Sequence, residues 1–214
     1  MSLPNSVMRD LVTLFGRERV LTEGRDLSRY SRDQSIYHIE PRAVVFPNSE
    51  EELPALVSLA RKAAIPLTAR GGGSSTAGGC LGRGIVIAFP RDNNFQAIGD
   101  FSESADKNGR ALVTAQAGVL HSDLQKYLHE RGYFLPADPS SAKICRIGGN
   151  VATKASGPHA LRHGSIDKYL KSVKFVTANG AIVDTAIPSS IPTSLMDSIL
   201  NLQQEILADE KVCK

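Results

Sequence analysis

Residues 67–79 read LTARGGGSSTAGG and place five glycines in thirteen positions, directly after a short apolar run. Each glycine costs folding entropy, so such density calls for a gain. Successive backbone N–H groups without intervening side chains form a concave nest for anions, phosphate foremost. The hydroxyls of Ser74, Ser75 and Thr76 add donors, and Arg70 is expected to add charge at the rim. A Walker A loop is excluded because no lysine stands in the GK[ST] position. GGGSST does not complete GxGxxG either, and a strand rather than a helix follows it, at Gly84.

A second stretch, residues 146–166, reads RIGGNVATKASGPHALRHGSI. Gly148, Gly149, Ser156 and Gly157 again offer bare backbone and small donors, and Asn150 has an amide able to meet a carbonyl or a phosphate. Each stretch alone reads as an ordinary glycine-bent connection. Two phosphate-sized nests about 75 positions apart suit one long ligand held at several points, such as a dinucleotide.

The elements that position these stretches follow from periodicity. Val7, Leu11, Leu14 and Phe15 share one helical face, and residues 16–40 are polar and irregular. Residues 43–47 form a buried-type strand; Ser49 to Glu52 then match a capping box, with Leu53, Leu56, Val57 and Ala60 at helical spacing behind it. Strands follow at 65–70, 84–89 and 111–119, the last paired with residues 95–101. A helix carries Leu120, Leu124, Tyr127 and Leu128, and Gly132 closes it. Residues 134–158 read as a long loop. Asn179-Gly180 between alternating runs marks a hairpin, and residues 193–207 a final helix.

In this order the strand–helix–strand–RGGGSSTAGG segment, AGV at 117–119, LPADPSS at 135–141 and IGGNVATKASGPHALRHG at 147–164 resemble the FAD-binding domain of the vanillyl-alcohol oxidase / p-cresol methylhydroxylase superfamily. The likeness is to the D-lactate dehydrogenase and glycolate oxidase branch and covers roughly residues 28–207. It implies an α+β fold of two α/β lobes: a small, mostly parallel sheet with helices over 38–92, then a larger mixed or antiparallel sheet with helices over 93–207. Residues 1–37 form a helix and a wrapping segment before them, and the substrate domain is expected to lie outside this chain.

The resemblance also implies site roles. Gly71, Gly72, Gly73, Ser74 and Ser75 cradle the FAD pyrophosphate, with Arg70 opening the loop. Pro139, Ser140 and Ser141 lie along the flavin and ribityl, with Asp138 nearby. Gly148, Gly149 and Asn150 form the second FAD loop, with Ser156 and Gly157 beside it, and Ile182 or Val183 faces the adenine through its backbone. Some members of the superfamily link the flavin to a histidine after the first glycines. Ser74 stands there, so the FAD is expected to be non-covalent. Lys154 to Gly157, and His163 where relatives often have tyrosine, depart from the usual pattern.

The implied reaction is oxidation of a D-2-hydroxy acid of the lactate, glycolate or 2-hydroxyglutarate type, by hydride transfer to flavin N5, with an iron–sulfur segment or other electron acceptor as a further partner. A non-catalytic nucleotide-binding module is the alternative, and no catalytic residue is assigned. No metal is expected: His159 and His163 have helical spacing, but Pro158 and Gly164 argue against a regular helix and no third ligand is evident.

Composition narrows the field. The chain has 25 Lys and Arg against 22 Asp and Glu, and only 12 scattered aromatics (Phe 7, Tyr 5) with no basic stripe among them, so nucleic acid is not an expected partner. Cys80, Cys145 and Cys213 are isolated and fit free thiols in a reducing compartment. No run approaches a membrane span, and the N-terminus shows neither the charged start nor the apolar core of a signal peptide. The expectation is a cytoplasmic protein, with the full-length enzyme peripheral to the inner membrane as an option.

Overall fold

A computed structural model describes residues 3–90, 94–103 and 109–208. The chain divides into two compact units, Met1–Tyr169 and Leu170–Lys214. The first unit is built on a four-stranded sheet in the order β1-β2-β4-β3. Its strands are β1 (Val20–Leu21), β2 (Ala43–Val45), β3 (Leu67–Arg70) and β4 (Ile85–Ala88). β2, β4 and β3 run parallel, and β1 adds an antiparallel edge.

Alternation along the pleat separates two buried faces. Ala43, Val45, Ile85 and Ile87 face the helices α1 (Asn5–Phe15) and α3 (Glu52–Lys62), packing with Leu11, Phe15 and Leu56. Val44, Val86 and Ala88 pack on the other side with Leu27, from the short α2 (Gly24–Leu27), and with Tyr30. Burial on both faces explains why these strands are unbroken apolar runs. The capping box takes a different form from the expected one. No side-chain cap bond forms at the start of α3, and Glu52 instead accepts from the Asn48 amide at 2.7 Å and from Arg19 at 2.8 Å. A distant guanidinium offers the carboxylate a charged partner, which a local serine cannot.

Antiparallel pairing over the later residues comprises, among the described residues, two two-stranded sheets. β5 (Ile98–Glu103) pairs with β6 (Ala111–Ala115) in the first unit. Against it lie α4 (His121–His129) and α5 (Ile147–Ala152), whose Leu124, Leu128 and Ile147 form a core with Val119, Phe101 and Val113. Gly132, at φ 77°, takes the left-handed turn after α4. A four-residue α6 (Ala160–His163) follows.

The second unit holds β7 (Lys174–Val176) and β8 (Ile182–Asp184), then α7 (Thr193–Ala208). The hairpin closes at the pair Thr177 and Ala181, leaving Ala178, Asn179 and Gly180 as its loop, with Gly180 at φ 87°. No described helix is long and apolar enough to cross a membrane.

Leu56 is fully buried between α3 and the sheet. Replacing it by alanine is expected to destabilise the chain by about 2–5 kcal/mol, measured by urea unfolding; a loss under 1 kcal/mol would show that this core is not tightly packed.

Candidate functional site

β3 and β4 are parallel, so the chain between them must cross back over the sheet, normally through a helix. Here the crossover is the glycine-rich stretch itself. It leaves the carboxyl end of β3, the edge at which open α/β sheets bind ligands. Its conformation is held from within and from behind. The Ser75 hydroxyl accepts from the amides of Ala77 (3.3 Å) and Gly79 (3.0 Å), and the Ser75 carbonyl accepts from Gln34 N at 3.0 Å. Gly73 adopts φ 68°, a left-handed value suited to glycine.

Arg70 departs from its expected place at the rim. Its side chain is buried, its Nη2 donates to the Arg32 carbonyl at 2.8 Å, and its guanidinium lies 5.6 Å from the Tyr30 ring. Nη1 lies 3.5 Å from Cys80 Sγ, and the thiol in turn lies 3.5 Å from Asp33 Oδ2. A Cβ on Gly73 would sit 2.4 Å from Nη2. Arg70 therefore braces the loop from behind, because the Arg32 carbonyl, the Asp33 carboxylate and an aromatic face compensate its burial there. Burial, with the Asp33 carboxylate adding to it, pushes the Cys80 thiol up against the opposing pull of Arg70, which keeps it protonated. Asp33 is held below the usual carboxylate range: partial burial opposes this, but hydrogen bonds from Ser35 and Cys80 prevail.

The two glycine-rich stretches meet across one segment, residues 138–146. A Cβ on Gly72 would fall 1.8 Å from the Ile144 carbonyl oxygen, and one on Gly71 would fall 2.9 Å from Arg146 Cγ. Gly148 lies similarly close to Ala117, and a Cβ on Gly157 would lie 2.1 Å from the Asp138 carbonyl oxygen. Residues 139–145 form tight turns, with Ile144 N and Cys145 N both donating to the Ser141 carbonyl. α4 grips this segment. Gln125 exchanges two hydrogen bonds with Leu135, at 2.7 and 2.9 Å, while Ser122 N donates to Ala142 O and His121 N to Cys145 O.

Asn150 differs from expectation. It is buried, and its amide nitrogen donates one hydrogen to His121 Nδ1 at 3.1 Å, so that part of the side chain is engaged inside the protein. Gly149 is open, with nothing within 4 Å of the point a Cβ would occupy. Asp138 pairs with His159 Nδ1 in a short contact. That hydrogen bond holds the Asp138 carboxyl below the usual carboxylate range. The pair lines a cleft of about 290 Å³ with Phe134, Arg162 and His163. Ile182 (half exposed) and Val183 (buried) stand on β8 in the second unit.

A diphosphate needs a row of unspent donors in close-fitting backbone. Among the described residues, the amides of Gly71, Gly72, Gly73 and Ser74 donate no hydrogen bond to the protein, and neither do the hydroxyls of Ser74, Ser140 and Ser156. These donors, and glycine walls that a Cβ would fill, fit a dinucleotide cofactor.

A match to the family described as FAD binding domain spans residues 41–186. The chain belongs to this family. As an FAD binding domain it is 32% identical over 181 residues to a D-2-hydroxyglutarate dehydrogenase of Escherichia coli, covering 83% of this chain and 17% of that protein. It is 28% identical to glycolate oxidase subunit GlcD of Bacillus subtilis, covering 86% and 38%, and 31% identical to a D-lactate dehydrogenase of Anaerostipes hadrus, covering 92% and 41%. An alkyldihydroxyacetonephosphate synthase structure shares the fold, with TM-score 0.68 at 24% identity over 88% of this chain and 37% of that one. The chain thus spans well under half of these relatives. FAD is the cofactor of the domain.

Sequence reasoning missed His121, although its spacing places it on the apolar stripe of α4 with Leu124 and Leu128. It also missed the Asp138–His159 pair, which joins residues 21 positions apart.

Two measurements check this geometry. Gly72→Ala is expected to destabilise by about 1–3 kcal/mol through backbone overlap with Ile144, whereas Gly149→Ala, in open space on a helix, leaves the thermal midpoint unchanged or raised; equal effects would refute the close approach. A carbon-13 titration should place the Asp138 carboxyl midpoint below 3.8. Because the folded value is depressed, the stability gained from the His159 pair is present above 3.8 and lost as pH falls through that midpoint; a midpoint at or above 3.8 would show that the pair does not form.

Proposed function

We propose that this chain is the cofactor-holding part of a flavoenzyme that oxidises a D-2-hydroxy acid of the lactate, glycolate or 2-hydroxyglutarate type. The observation that carries the reading is the row of unspent amides at Gly71, Gly72, Gly73 and Ser74, walled by residues 144–146. The names of the relatives supply the substrate class.

The amides of Gly71 to Ser74 hold the diphosphate as N–H donors, and Arg70 and Ser75 keep the loop in shape for them. Ser140, Ser141 and Pro139 lie along the ribityl and flavin. Gly148, Gly149, Ser156 and Gly157 supply the second wall, where bare backbone permits close approach. When bound, the flavin supplies an N5 that accepts a hydride equivalent while a base takes the hydroxyl proton. The substrate clamp and that base are assigned to the part of these relatives that this chain does not span. An iron–sulfur segment or other electron acceptor would be the further partner that reoxidises the flavin. Ser74 offers no nucleophile of the histidine kind, so the FAD is held without a covalent bond.

Purified or FAD-reconstituted chain should show flavin absorbance, and acid precipitation should leave the colour in the supernatant. Colour retained by the polypeptide would overturn non-covalent binding, and failure to take up FAD would overturn the reading as a whole. The chain alone should not turn over D-lactate or D-2-hydroxyglutarate; sustained turnover would show that it carries its own substrate clamp.

A further inference from the structure

His121 opens α4 with its side chain fully buried. Its Nδ1 lies 3.1 Å from the Asn150 amide nitrogen. An amide nitrogen only donates, so Nδ1 is the acceptor and the neutral imidazole carries its proton on Nε2. Nε2 is buried and has no hydrogen-bond partner among the described residues. Burial holds the imidazole below its ordinary value, against the pull of Asp138. A position in the first turn of a helix disfavours the cation further.

The bond adds a buried polar tie between α4 and α5, which also share the apolar core of Leu124, Leu128 and Ile147. α4 fixes residues 135–145 through Gln125, Ser122 and His121 N. Asn150 fixes the second glycine stretch: its carbonyl accepts from Ala155 N at 2.8 Å, and the Ala155 carbonyl accepts from Ile166 N at 2.9 Å. Between them, Gly157 rests on the Asp138 backbone.

We propose that His121 is a positioning residue for the cofactor site: by accepting the Asn150 amide it sets residues 148–157 against residues 138–146, and Asn150 acts through this tie rather than as a ligand. The proposal rests on the reading of the chain as an FAD-binding one. It has a consequence in acid. A second proton must go to Nδ1, where it would face the Asn150 NH₂ donor against donor, so the amide must turn over or the two must part. Affinity for FAD should therefore be full while the imidazole is neutral and fall as pH drops through its depressed folded value. Asp138, with His159 paired to it, is the charged group that acts on the imidazole from the 135–145 segment. Asp123, Lys126, Tyr127 and His129 on α4, Lys143, Cys145 and Arg146 before α5, and Lys154 after it are the other titratable or charged groups on the elements packed here.

Three variants separate the two ring nitrogens. His121→Asn puts an amide oxygen near the place of Nδ1, His121→Gln puts an amide group near the place of Nε2, and His121→Leu removes both. FAD affinity, read by flavin fluorescence in the wild-type chain and each variant, should weaken about tenfold in Leu and Gln, the cost of a buried unsatisfied amide, and recover in Asn. The acid-side weakening should vanish in Asn. A wild-type-like Leu variant, an Asn variant as weak as Leu, or an acid limb that persists in Asn overturns the proposal. If Leu fails to fold, nitrogen-15 spectra of wild-type His121 decide: Nδ1 unprotonated and Nε2 protonated support the tie, and the opposite tautomer refutes it. Wild-type chain that takes up no FAD removes the functional reading, while the same spectra still decide the tie.

Discussion

The approach of Gly72 to the Ile144 carbonyl leaves no room for a single carbon atom. The rest of the site is arranged around that closeness. Backbone can lie this near to its neighbours only where a side chain is absent, which is why glycines recur at position 71 against the Arg146 side chain, 72 against the Ile144 carbonyl, 148 against Ala117 and 157 against the Asp138 carbonyl. A chain that brings its backbones together in this way leaves a furrow whose walls are amide groups rather than side chains. Such a furrow recognises charge and shape with little conformational entropy left to lose on binding.

The frame is rigid because its supports are redundant. α4 holds residues 135–145 at both ends, and the sheet holds the first glycine stretch through β3 and β4. Two charged groups near the furrow have partners within the protein: Arg70 has a carbonyl and an aromatic ring, and Asp138 has His159. Neither needs a ligand to be stable. The unspent donors at Gly71 to Ser74 are neutral amides and a hydroxyl, whose desolvation costs less than that of free charges.

Much of this is legible in the residue pattern, because hydrophobic periodicity reports which faces are buried. The runs at 43–45 and 85–88 are parallel strands with both faces covered, and the apolar spacing of α1, α3, α4 and α7 places those helices. What the pattern hides are features set by tertiary contact. α5 reads as a loop because Gly148 and Gly149 lower helix propensity, yet packing of Gly148 on Ala117 favours the helix there. Arg70 reads as a rim charge because its carbonyl partner lies 38 positions earlier in the chain. Asn150 reads as a ligand because its partner His121 sits on another helix.

The family match begins at residue 41, but the brace behind the phosphate-sized loop begins earlier. Tyr30, Arg32, Asp33 and Gln34 all reach residues 70–80. A domain cut at residue 41 would strand a buried guanidinium without its carbonyl and release one side of the loop. The physical module is therefore longer than the family-matched one, and any transplantation of it into another protein has to carry the preceding turn of chain as part of its scaffold.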